Sequence, residues 1–221
     1  MKKRFAFTMI ELVFVIVILG ILASVAMGHM ERDVKQEASS TILSHIRLAQ
    51  QLALNDNKHR SDHNSIWQTA YWRFEYEKCD GVDRYIYRVG SDADLSGGIN
   101  KIESVIDPVN RKYIWADGVC NSFDDLGSDE NRDVYLYGRF GVEHVEHSDI
   151  TGSCTSQNIG FDFLGRPHVG VKSYKSDNSS VFQKIMTKDC ILTFTMSDGT
   201  NFKIKIEAET GYSSIVGQEN S

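Results

Sequence analysis

The sequence predicts an α+β chain: one long N-terminal helix followed by an antiparallel β-sheet or two packed sheets. Three observations predict it. Residues 12–27 carry no charge and are mostly Val, Ile, Leu and Phe. Val34, Ala38, Ile42, Ile46, Ala49 and Ala53 then recur at spacings of three and four, the stripe of an amphipathic helix. From Trp67 onward the period shifts toward two, with β-branched and aromatic residues set between turns rich in Gly, Asp and Asn.

The helix comes first. With Phe7–Ile10, residues 12–27 give about 20 apolar residues around Glu11, enough to span a bilayer. Lys2, Lys3 and Arg4 ahead of them are expected to stay cytoplasmic. Burying an unpaired carboxylate in hydrocarbon is costly, so Glu11 reads as functional, with a positive charge at the end of a neighbouring copy of the same helix as its expected partner. The amphipathic stripe lies opposite Glu31, Arg32, Lys35 and Gln36, and Asn55-Asp56-Asn57 closes it. A helix from Phe7 to about Asp56 measures about 75 Å at 1.5 Å per residue. Its first half is expected in lipid and its second half on a sheet. Gly28 weakens a helix interior, which predicts a kink or melted turn there.

The strands follow a polar loop at 58–65. Trp67–Glu77 and Asp83–Val89, around Cys79-Asp80-Gly81, read as a hairpin. Residues 90–133 are loop-rich, with a short apolar patch at Tyr113–Trp115. Val134–Phe140 and Asn158–Phe163 read as strands. Ile191–Met196 and Asn201–Glu207 form a second hairpin, because the Asp198-Gly199 pair supplies the positive φ of a tight turn. Trp67, Trp72 and Trp115 are expected in the core.

The head of the chain carries more than hydropathy. Lys2-Lys3-Arg4 followed by Ala6-Phe7-Thr8-Met9-Ile10-Glu11-Leu12 resembles the processing motif of type IV prepilins and type II secretion pseudopilins. The resemblance implies a pilin-like fold and cleavage between Ala6 and Phe7 by a prepilin peptidase, which methylates the new amine. Glu11 is then the fifth residue after the cut, where the family has its assembly glutamate. Ala6 stands where the family prefers Gly. Further partners implied are other pilin or pseudopilin subunits, an inner-membrane assembly platform and an assembly ATPase. A secretory signal peptide cut after Ala26 also fits the basic and apolar regions, but leaves Glu11 without a use. Phe161-Asp162-Phe163-Leu164-Gly165-Arg166-Pro167, the terminal hairpin and Glu209-Thr210-Gly211-Tyr212 resemble the tail of H-class minor pseudopilins. The domain organisation expected is a leader at 1–6, a transmembrane half-helix at 7–30, a periplasmic half-helix at 31–57 and a β-rich globular domain at 58–221.

Charge and cysteines narrow the function. Loss of Lys2, Lys3 and Arg4 takes the net charge from -6 to -9, unsuited to general binding of nucleic acid or anionic lipid. Residues 162–206 are locally basic, with 7 basic and 4 acidic side chains. The cysteines are Cys79, Cys120, Cys154 and Cys190, with no CxxC pair, which argues against a zinc knuckle or thioredoxin-like site. In a periplasmic domain they are expected as disulfides. Three pairings are open, and Cys79–Cys120 with Cys154–Cys190, each stapling one half of the domain, is the working expectation.

One loop has ligand spacing. Asp92, Asp94, Ser96 and Glu103 occupy positions 1, 3, 5 and 12 of a twelve-residue stretch with Gly97 at position 6, the order of oxygens in an EF-hand calcium loop. Its flanks read as strands rather than helices, so calcium competes with an ordinary acidic loop. His59 with His63, and His144 with His147, make no metal set and are expected solvated. No G-x-S-x-G, H-E-x-x-H or phosphate-binding Gly loop is present.

The sequence therefore points to a structural filament subunit and not an enzyme. It is expected as a minor pilin or pseudopilin of a type II secretion or type IV pilus-like system, single-pass in the inner membrane with its domain in the periplasm. The alternative is a DNA-binding minor pilin of an uptake system, using the basic C-terminal region.

Overall fold

A computed structural model describes residues 8–56, 70–117, 126–148, 154, 156–171 and 184–218, with the side chains of 25–33 and 148 excepted. Helix α1 covers Met9–Asn55. The strands are β1 (Trp72–Lys78), β2 (Tyr85–Ser91), β3 (Val142–Ser148), β4 (Asn158–Phe161), β5 (Pro167–Val169), β6 (Cys190–Met196), β7 (Asn201–Ile206) and β8 (Ser213–Ile215), with a short helix α2 at Leu136–Phe140. All strand pairs are antiparallel, in two four-stranded sheets ordered β2-β1-β4-β5 and β3-β6-β7-β8.

The chain divides into two units, Met1–Glu37 and Ala38–Ser221. The boundary falls inside α1, seven residues beyond the start of the expected 31–57 half-helix, because burial begins only at Ala38. In the first unit α1 shows apolar side chains to the outside, from Met9 at 90% exposure to Leu22 at 61%. Among the described residues no helix is long and apolar enough to cross a membrane. The expected transmembrane half-helix over 7–30 includes residue 7 and the side chains of 25–30, which lie outside the described residues. No break occurs at Gly28, which lies inside continuous helix.

In the second unit the stripe behaves as its spacing dictates. Ala38, Ile42, Ile46 and Ala49 are fully buried and Ala53 nearly so. Phe74, Tyr87, Val89 and Ile159 of the first sheet and Leu192, Phe194, Ile204 and Ile206 of the second join them in the core. Each such side chain contributes about 1.5–3 kcal/mol relative to exposure. Strand β6 alternates buried and half-buried along its length, and Phe194 stacks on Phe202 across the β6–β7 pair at 4.9 Å.

Three expectations are corrected. Val134–Phe140 is not a strand: a 3-10 turn at Arg132–Val134 leads into α2. Leu136 and Phe140, four apart, are both buried, and Gly141 caps the helix with φ 71°, so the apolar spacing here is helical and not alternating. Trp72 and Trp115 are half-buried rather than core, and their indole N–H groups donate to Asp56 and to the Ile99 carbonyl. His144 and His147 are not simply solvated: each is half-buried with Nδ1 against a tyrosine hydroxyl, Tyr85 at 3.3 Å and Tyr76 at 2.6 Å. The disulfide Cys154–Cys190 is the expected pairing within the C-terminal half of the domain's sequence, and it reaches between the two sheets. Cys190 opens β6 in the second sheet, whereas Cys154 lies just ahead of β4 in the first. Trp67, His59 and His63 lie outside the described residues.

Candidate functional site

The head of α1 is built by capping. Thr8 precedes the helix, and the Glu11 amide donates to the Thr8 carbonyl at 3.1 Å and toward its hydroxyl at 3.4 Å. Threonine three residues ahead of glutamate is the spacing of a capping box. Glu11 therefore sits in the first turn, where the unsatisfied N–H groups and the helix dipole favour a negative charge. Around that exposed carboxylate stand Met9, Ile10, Leu12 and Phe14, each more than half exposed. The result is an acid within a bare apolar surface. Ala6 and Phe7 lie outside the described residues.

The acidic loop between β2 and the 3-10 turn at Lys101–Glu103 closes on itself. One carboxylate oxygen each of Asp92, Asp94 and Glu103 lies within 4.8 Å of the others. Asp92 accepts from the amides of Ser96 and Gly97 at 2.9 and 2.7 Å, and Asp94 accepts from Ser96 at 2.9 Å. Glu103 accepts from Ala93, Asp94 and Asn100 amides at 2.8, 3.0 and 3.1 Å. Gly97 has φ 98° and Leu95 φ 61°, which makes the sharp turns that aim these groups inward. Ser96, the fourth expected ligand, enters through its amide and through a side-chain hydrogen bond that holds the Asp94 carboxyl below its usual value. Burial pushes the Asp92 carboxyl up, against the Gly97 and Ser96 amides that hold it down. Fully buried Arg73 lies behind the loop, 3.9 Å from Asp92 and 3.2 Å from Glu75. One carboxylate thus already has a resident counter-charge. Glu103 Oε1 already accepts two amides, but Glu103 Oε2, Asp92 Oδ1 and Asp94 Oδ1 each accept one and keep a lone pair that a hard, oxygen-seeking cation could use.

A third constellation escaped sequence reasoning. Gln50 on α1 donates to the carbonyls of Gly165 and Thr210 at 2.9 and 2.8 Å, and Arg47 donates twice to the Ser213 carbonyl at 3.0 and 2.7 Å. These bonds fasten the two C-terminal motif turns to the helix. Within the first turn, Asp162 accepts from the Leu164 and Arg166 amides, the Arg166 guanidinium and His168. Burial alone would raise the Asp162 carboxyl, but these donors leave it below its usual value. The two motif strings mark these turns in the sequence, with Gly165 and Gly211 at positive φ, but nothing local marks their link to Gln50 and Arg47.

Cys154 and Cys190 are disulfide-bonded to each other. Cys79 is also disulfide-bonded, and its expected partner, Cys120, lies outside the described residues.

Residues 1–27 match the family model described as the prokaryotic N-terminal methylation motif. No curated protein and no solved structure matches the chain. The match covers the Lys2–Arg4 tip, Ala6, Phe7, Glu11 and the apolar run, the segment typical of membrane-anchored pilins, and implies processing by a prepilin peptidase and assembly with other pilin subunits. A prokaryotic N-terminal methylation motif heading an α+β, pilin-like chain is consistent with a type IV prepilin-like protein, and on that motif its identification rests.

Proposed function

We propose that the chain is a structural minor subunit, not an enzyme, of a type II secretion or type IV pilus-like filament. The observation that carries this reading is the position of Glu11: exposed, in the capped first turn of α1, inside the matched segment and fifth after the expected cut. After cleavage the Phe7 amine of an adjacent subunit is the cation that Glu11 pairs with when α1 is drawn into an apolar filament core. Pairing offsets the cost of burying both charges. Before assembly the charge-free run at 12–27 holds the helix in the inner membrane, with the second unit in the periplasm where its disulfides persist. Glu11→Ala should leave cleavage and membrane association intact and abolish incorporation into filaments. Normal incorporation of the variant contradicts the pairing.

On the body, this reading assigns a calcium ion to Asp92, Asp94 and Glu103, with Ser96 as supporting group. Its support is the convergence of three carboxylates at one turn. The Arg73 charge beside Asp92 opposes a cation there, so the affinity expected is in the weak range of extracellular calcium modules, with dissociation constants of about 0.1–1 mM. The DNA-binding alternative has less behind it. Lys205 is paired with Asp189 and Glu207, Arg166 with Asp162, and Lys184 donates to the Gly170 carbonyl, so these basic groups are committed within the chain.

A further inference from the structure

We propose that His45 is an acid-operated latch: neutral, it holds the Ala38–Asn55 segment of α1 on the β-body, and protonated, it loosens that segment. The inference is independent of the filament reading. His45 is 4% exposed. Its Nδ1 lies 2.7 Å from the hydroxyl of fully buried Tyr87 on β2, and its Nε2 lies 3.5 Å from Asp107 Oδ2. Burial holds the Tyr87 phenol well above its usual range, so it stays protonated and donates. That fixes the imidazole: Nδ1 accepts from Tyr87, and the Nε2 proton points to Asp107.

The groups around the ring come from every packed element. Tyr87 belongs to β2. Asp107, buried in the loop after residue 106, also accepts from the Asn131 side chain at 2.7 Å and the Val109 amide at 2.8 Å. Asp133, in the 3-10 turn before α2, attracts the imidazolium from farther off, and Arg139 of α2 holds it at 3.0 Å. A proton on Nδ1 turns that nitrogen from acceptor into donor, so the Tyr87 oxygen must accept from it instead. The Tyr87 hydroxyl hydrogen then loses its acceptor in a buried position, which is unfavourable. Burial lowers the imidazole's affinity for a proton, and Asp107 and Asp133 restore only part of it.

The sign follows. The docked segment binds fewer protons than the undocked one, so docking is fully supported above the ordinary histidine pKa of about 6.5 and weakens as pH falls below it. At pH 5.5 an undocked histidine is about 90% protonated, which limits the loss to about tenfold in the docking equilibrium. Arg47 and Gln50 still bond the Ser213, Gly165 and Thr210 carbonyls, so the segment loosens without release.

The test is hydrogen exchange of the full chain in detergent at pH 7.5 and 5.5, corrected for intrinsic exchange rates. It compares wild type with His45→Gln, which keeps an acceptor and a donor but cannot titrate. Peptides within 38–55 of wild type should lose up to about tenfold in protection at the lower pH, and the variant should not. The two proteins differ at His45 alone, so any difference between their pH responses belongs to it. An equal pH response in the two proteins overturns the proposal. If the variant is already unprotected at pH 7.5, the His45 ring signal in an NMR titration decides: a midpoint below 6.5 supports the latch, and one at or above 6.5 overturns it.

Discussion

Gly211 lies so close against Gly165 that a β-carbon on it would stand 2.5 Å from the Gly165 carbonyl oxygen. The same carbon would stand 2.6 Å from the Gln50 amide nitrogen, which donates to Gly165 and to Thr210. Two turns about 45 residues apart in sequence therefore meet at one side chain on α1. The two C-terminal motif turns are thus two halves of one clamp.

Gly211→Ala should open that clamp. The φ of 68° alone costs an alanine about 1–2 kcal/mol, and two polar neighbours must also move. We expect a loss of stability above that figure in chemical denaturation. An unchanged midpoint contradicts the close approach.

The disulfide between Cys154 and Cys190 closes 36 residues of chain and joins the two sheets. Loop closure on this scale is worth about 3–4 kcal/mol. Non-reducing peptide mapping should recover Cys154 linked to Cys190, and the Cys154→Ser, Cys190→Ser double variant should unfold at markedly lower denaturant. A free Cys154 thiol contradicts the pairing.

Much of this architecture is legible from periodicity. The stripe of Ala38, Ile42, Ile46 and Ala49 and the β6–β7 hairpin are local patterns that the core then rewards. Strand β3 is not legible that way. Val142 and Val145 are both buried although three apart, which the register shift between Val142 and His144 allows and simple alternation does not. Strands β5 and β8 are three residues each, too short to show a period. At the sites, ligand spacing found Asp92, Asp94 and Glu103, because all lie within one loop. The Gln50 and Arg47 clamp and the His45 cluster join residues from 42 to 166 positions apart, and no local pattern marks such pairs.

Calcium should raise the melting temperature of the chain. At a hundredfold excess over the dissociation constant the stabilisation is about 2.7 kcal/mol. At millimolar calcium and weak affinity a shift of a few degrees is expected relative to chelator, and Asp92→Asn with Asp94→Asn should remove it. Identical melting curves in calcium and chelator leave 92–103 as a self-closed acidic loop.

The central claim, that this is a processed filament subunit, is tested most directly at its N-terminus. Mass spectrometry of the membrane-extracted protein, made in cells with their prepilin peptidase, should show a chain beginning at N-methylated Phe7 and lacking residues 1–6. A chain beginning at Met27, or one retaining Lys2–Arg4 in the presence of active peptidase, contradicts the account.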